Sequence, residues 1–140
     1  MREITDADFA RAFERGGVPP AEFGHRAHLR VAWVYVNEGP SPEAALARMR
    51  EAVQRFAAAA GASQKYHETI TVLWMRLLED ARAGAPQGCA FEQLLERRPE
   101  LGDKELPLRY YSRERLFSDE ARAQWVAPDL LEVAPSSASG

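Results

Sequence analysis

This chain is poor in the features that would make its chemistry easy to read. It holds one cysteine, Cys89, so no disulfide can form within it, and no zinc ribbon or Cys-rich cluster is open to it. No stretch approaches the eighteen or so apolar residues of a membrane-crossing helix. The best candidate, Leu29 to Val36, is broken by Arg30 and followed by Asn37-Glu38. Neither charge dominates: 18 Lys and Arg stand against 21 Asp and Glu, a formal net charge of −3, which gives no general pull toward nucleic acid or an anionic membrane. The opening residues Met1 to Asp6 carry no apolar signal core, and with a lone thiol beside an expected turn at Pro86-Gln87-Gly88 the expectation is a cytoplasmic protein.

What is present suits one folded domain. With 140 residues, 46% of them hydrophobic and 28% charged, the chain can bury a sizeable core and lies far from disordered compositions. Apolar residues recur at helical spacing, and alternating strand patterns are missing, so the expected class is all-α. A first helix is expected from Thr5, as cap, to Gly16-Gly17. A second runs from about Ala21 or Phe23 to Glu38, closed by Gly39 in a left-handed conformation ahead of Pro40. Ser41-Pro42-Glu43 starts a third, striped with Leu46, Met49, Val53, Phe56 and Ala60 and ended by Gly61. A fourth is expected from Ser63 through His67, Ile70 and Trp74 to about Ala83. Shorter helical pieces over 91–98, 103–106 and 118–126 then wrap a four-helix bundle. The domain is expected to span 1–127, with 128–140 a tail disordered at its end.

The polar exceptions to this pattern are concentrated. All three histidines sit in two clusters, Phe23-Gly24-His25-Arg26-Ala27-His28 and Lys65-Tyr66-His67-Glu68-Thr69. His25 and His28, three apart, share a helix face with Ala32 and Tyr35, and the same count places His67 in line with Ile70 and Trp74. An imidazole on a buried seam needs partners, because an unpaired buried polar group costs about 1–3 kcal/mol. If the second and fourth helices are neighbours, His25, His28, His67 and Glu68 form a donor set suited to one transition metal ion, namely zinc, iron or manganese.

The leading expectation is therefore a metal-binding helical protein, and the donor set leaves open a metal-dependent hydrolase or oxidoreductase acting on a small organic substrate. In it Glu68 is ligand or general base, and Tyr66 is a second catalytic group. Arg109 and Tyr110, in Arg109-Tyr110-Tyr111-Ser112, are candidate substrate-binding residues roofing the site. The rival expectation is a metal-free module that binds a small ligand or a protein, with structural histidines. Both take a small molecule or protein as partner and exclude nucleic acid and membrane. The run Ala57 to Ala60 would allow close helix approach within a subunit or between subunits of a homo-oligomer.

The motifs F-x-H-x-x-H over Phe23 to His28, Y-H-E-T-x-T over Tyr66 to Thr71, R-Y-Y-S over Arg109 to Ser112 and L-F-S over Leu116 to Ser118 extend across most of the chain. In them the sequence resembles a group of small bacterial all-helical proteins. The resemblance implies that these segments act as one unit and brings no reaction with it.

Overall fold

The computed structural model describes residues 4–131, and within them the chain is all-helical, with no strand. Helix α1 spans Asp6–Glu14, α2 His25–Glu38, α3 Pro42–Ala59 and α4 Glu68–Ala83. Three shorter helices follow, α5 at Phe91–Arg97, α6 at Arg113–Leu116 and α7 at Asp119–Ala123, interleaved with 3-10 turns at Pro99–Gly102 and Leu106–Arg109. No helix here is long and apolar enough to cross a membrane. The tail expectation for 132–140 lies outside the described residues.

Local chemistry sets most of these boundaries. The hydroxyls of Thr5, Ser41 and Ser118 accept from the backbone N–H groups of Asp8, Ala44 and Ala121 at 3.0, 3.1 and 3.1 Å, satisfying donors that the first helical turn leaves unpaired. Gly16 and Gly61, just past α1 and α3, adopt φ of 78° and 70°, a region open to glycine at no steric cost. Gly39 departs from its expected role. Its φ is −72° and its ψ 148°, not left-handed. A Cβ there would lie 3.1 Å from the Tyr35 carbonyl oxygen and 3.4 Å from the Ala45 side chain, so glycine serves the close approach of α3 to the end of α2.

Helix α2 occupies the centre, touching α1, α3 and α4. Its residues Val31 to Val36 are all buried, which explains the near-continuous apolar run: a helix surrounded on several sides has no broad polar face. Burying each Leu- or Val-sized side chain contributes about 1.5–3 kcal/mol, and Leu29, Leu73, Leu78, Leu94, Leu101 and Leu116 are each at most 2% exposed. Polar groups inside this core are paired. The Trp33 indole N–H donates to the Cys89 carbonyl at 2.8 Å, and the Tyr35 hydroxyl to Glu14 at 2.6 Å.

The C-terminal third is fastened to α4 by side chain to backbone bonds. The buried Thr69 hydroxyl donates to the Gln124 carbonyl at 2.7 Å and accepts from the Val126 N–H at 3.1 Å. The Tyr111 hydroxyl donates to the Val126 carbonyl at 2.6 Å, while Ser112 donates through N–H and hydroxyl to the Asp129 carboxylate at 2.8 and 2.7 Å.

Candidate functional site

Helices α2 and α4 are in contact, and residues of both histidine clusters lie at that contact. They border one cavity of about 370 Å³. Its wall is chiefly apolar, with Phe23, Leu29, Met49, Ile70, Trp74 and Met75 prominent, and His25, His28, Tyr66 and His67 also line it. The rim adds Lys65 and Lys104. Aromatic packing stiffens one side: Phe13 stacks on Phe23 with centroids 4.2 Å apart, and the His28 ring lies 4.0 Å from Phe23. On the other side His25 packs against Trp74 at 4.7 Å.

The expected metal centre is not there. Among the described residues no group of three or more His, Cys, Asp and Glu side chains is arranged to hold a metal ion. The hydrogen bonds give the physical reason. His67 does not lie within a helix, as its spacing from Ile70 and Trp74 implied. A short 3-10 turn at Ser63–Lys65 precedes it, and His67 is the residue that caps α4. Its Nδ1 accepts from the Ile70 N–H at 3.1 Å, and its Nε2–H donates to the Leu116 carbonyl at 2.7 Å. Both nitrogens are spent, leaving no lone pair for an ion. Burial, at 8% exposure, pushes the imidazole pKa down against the opposing effect of the Leu116 bond, so the ring is held neutral.

Glu68 is spent as well. Arg50 grips it from the side, with Nε at 3.0 and 3.1 Å from the two carboxylate oxygens and Nη2 at 2.6 Å, and the Tyr66 hydroxyl donates to it at 2.7 Å. Burial pushes the carboxyl up, but the bonds from Arg50 and Tyr66 outweigh it and hold the pKa below the ordinary carboxylate range. A carboxylate so fixed is a poor proton acceptor. Its partner Tyr66 is pushed up to about 12 by burial and by Glu68, which removes it from acid–base work near neutrality. Glu68 does not line the cavity.

His25 and His28 are held more lightly. His25 Nε2 donates to the Leu101 carbonyl at 2.9 Å, and His28 Nδ1 to the Gly24 carbonyl at 3.1 Å, one bond each. Burial lowers the His28 pKa despite the Gly24 bond, with His25 adding to the effect. Both rings sit in the first turn of α2.

Arg109 and Tyr110 are elsewhere. They border a second cavity of about 350 Å³ with Leu77, Arg98, Leu101 and Leu131, so they do not roof the histidines. Sequence reading missed Lys65 and Lys104 at the histidine cavity. Lys65 belongs to the second cluster and was open to recognition. Lys104 arrives from a distant turn, which no local pattern signals. No family model, curated protein or solved structure matches this chain, so its function rests on this geometry alone.

Proposed function

We propose that the protein is a metal-free binder of a small ligand with a flat apolar body and an anionic group, taken up between α2 and α4. One observation carries the reading. The cavity is apolar and partly aromatic, and the formally charged side chains on its wall, among the described residues, are two lysines with no carboxylate. Neither Lys65 nor Lys104 makes an ion pair among those residues. Concave apolar sites with a few converging polar groups are where small molecules bind, and about 370 Å³ lies at the small end of their range. Trp74 and Phe23 supply faces for a ring, and the ammonium groups supply the countercharge. In this reading α1 to α4 form a four-helix bundle that carries the pocket, and the C-terminal pieces brace it. The reading requires no nucleic-acid or membrane partner.

Calorimetric titration with 2-naphthoate, and with 2-naphthylmethylammonium as the cation of matching shape, tests it. Saturable binding of the acid, weakened about fivefold or more in Lys65→Met/Lys104→Met, is the expected result, since a charge-assisted contact contributes about 1.5–3 kcal/mol before solvent screening. Failure of the acid to bind, or equal affinity for the cation, rejects it.

A further inference from the structure

We propose that His25 and His28 make the cavity selective for ligands that carry an O–H or N–H donor on the ring as well as the anion, that is, hydroxyaryl or aminoaryl acids; this rests on the reading of the cavity given above. The inference follows from which nitrogens carry protons. A carbonyl oxygen has no hydrogen to give, so a ring nitrogen bonded to one must be the donor. His25 Nε2, 2.9 Å from the Leu101 carbonyl, therefore holds the proton, and the Nε2–H tautomer leaves Nδ1 bare. His28 Nδ1, 3.1 Å from the Gly24 carbonyl, holds the proton there and leaves Nε2 bare. The two rings are opposite tautomers, one helical turn apart, each locked by the backbone.

Their bare nitrogens are open to a ligand. No buried side-chain nitrogen or oxygen among the described residues lacks a hydrogen-bond partner, so an acceptor without one must be reachable from open space. The space that both rings border is the cavity. The remaining polar groups on the wall are committed: the Thr71 hydroxyl donates to the His67 carbonyl at 2.9 Å, Tyr66 to Glu68, and His67 has both nitrogens bonded. The cavity thus presents two cations and two acceptors. A plain aryl carboxylate satisfies the cations and strips water from both acceptors without replacing it. A site built to accept a proton donor discriminates strongly against an analogue lacking one, because its own polar groups are then left unpaired.

Calorimetric titration at pH 7.5 of 2-naphthoate against its hydroxy isomers and their methoxy counterparts decides the matter. The best hydroxy isomer is expected to bind about tenfold more tightly than 2-naphthoate, the scale of one hydrogen bond to a buried acceptor, while the methoxy compounds, which cannot donate, gain nothing. In His25→Phe or His28→Phe, whichever removes the acceptor that the best isomer uses, the preference falls to about twofold or less, and a preference undiminished in both variants overturns the inference. Equal affinity of wild-type protein for the plain and hydroxylated acids overturns the inference while leaving the cavity reading intact; failure of every acid to bind removes both. Long-range proton–nitrogen correlation of the histidine rings gives a check without ligand. It is expected to show Nε2–H for His25 and Nδ1–H for His28, and the reverse tautomer at both rings overturns the inference.

Discussion

The two histidine clusters look alike as sequence and differ in what their hydrogen bonds leave over. In the second cluster Tyr66, His67, Glu68 and Thr69 are all spent, and Lys65 alone is left over. His67 caps α4 with one nitrogen and ties Leu116 with the other, and Glu68 is enclosed by Arg50 and Tyr66. In the first, His25 and His28 each make a single backbone bond and keep one acceptor. The difference teaches how to separate a structural histidine from a functional one: residue type and burial are shared, and the unspent valence is what differs.

That contrast can be broken most severely at His67. His67→Ala removes a helix cap and leaves the Leu116 carbonyl without its donor. The expected cost is about 3 kcal/mol, seen as a fall of roughly 10 °C in Tm for a domain of this size. A loss no larger than that of an exposed surface substitution would show that His67 is not the fastening it is taken for. Next in size is Glu68→Ala, which strands Arg50 and Tyr66 and is expected to cost about 1–2 kcal/mol, since Arg50 is over a third exposed. A double-mutant cycle with Arg50→Met measures the coupling, and strict additivity would mean that the pair contributes nothing jointly.

A pH series sharpens the comparison further. The folded-state pKa of His67 lies below the unfolded one, so the unfolded chain takes up its proton first as pH falls. The contribution of His67 is complete above the ordinary imidazole pKa of about 6.5 and is lost as pH drops through the lower folded value. Chemical unfolding from pH 7.5 to 5 should show that decline flattened in His67→Gln. An unchanged slope would assign the decline to other groups, with His28, shifted the same way, the first to examine. The smallest effect belongs to the first cluster. His28→Phe should shift stability by less than about 1 kcal/mol, because one half-exposed bond is lost and an aromatic ring is retained. Added zinc or chelator should leave Tm unchanged, whereas a metal-dependent rise would restore the ion site that the geometry denies.

Much of the architecture was written locally. Thr5, Ser41 and Ser118 announce their helices because a hydroxyl beside an apolar period has one favourable use, and the glycines after α1 and α3 mark the ends. The fourth helix was misread at its start. Nothing between Ser63 and Ala83 breaks a helix by type, and the capping residue is a histidine, outside the Ser, Thr, Asp and Asn set that signals a beginning. The site was half legible for a related reason. The clustering of histidines drew attention to both segments, which border one cavity, although His67 caps its helix and does not lie on a helix face. Their partners were backbone carbonyls of Leu101 and Leu116, 76 and 49 residues away, and a carbonyl leaves no mark in a sequence. Arg50 likewise carries no mark in the sequence of its contact with Glu68, 18 residues away.

Thr69 illustrates how narrowly a single position can be specified. One hydroxyl gives its proton to Gln124 and receives another from Val126, so it works as a two-way rivet between α4 and the segment that follows α7. Valine would fill the same volume and break both halves of the rivet; serine would keep both and lose only a methyl group. The Val126 amide is therefore a built-in gauge of docking. Its hydrogen exchange reads the opening of the C-terminal segment separately from the unfolding of the helices beneath, and a chain in which the two proceed at one rate has no independent edge to open.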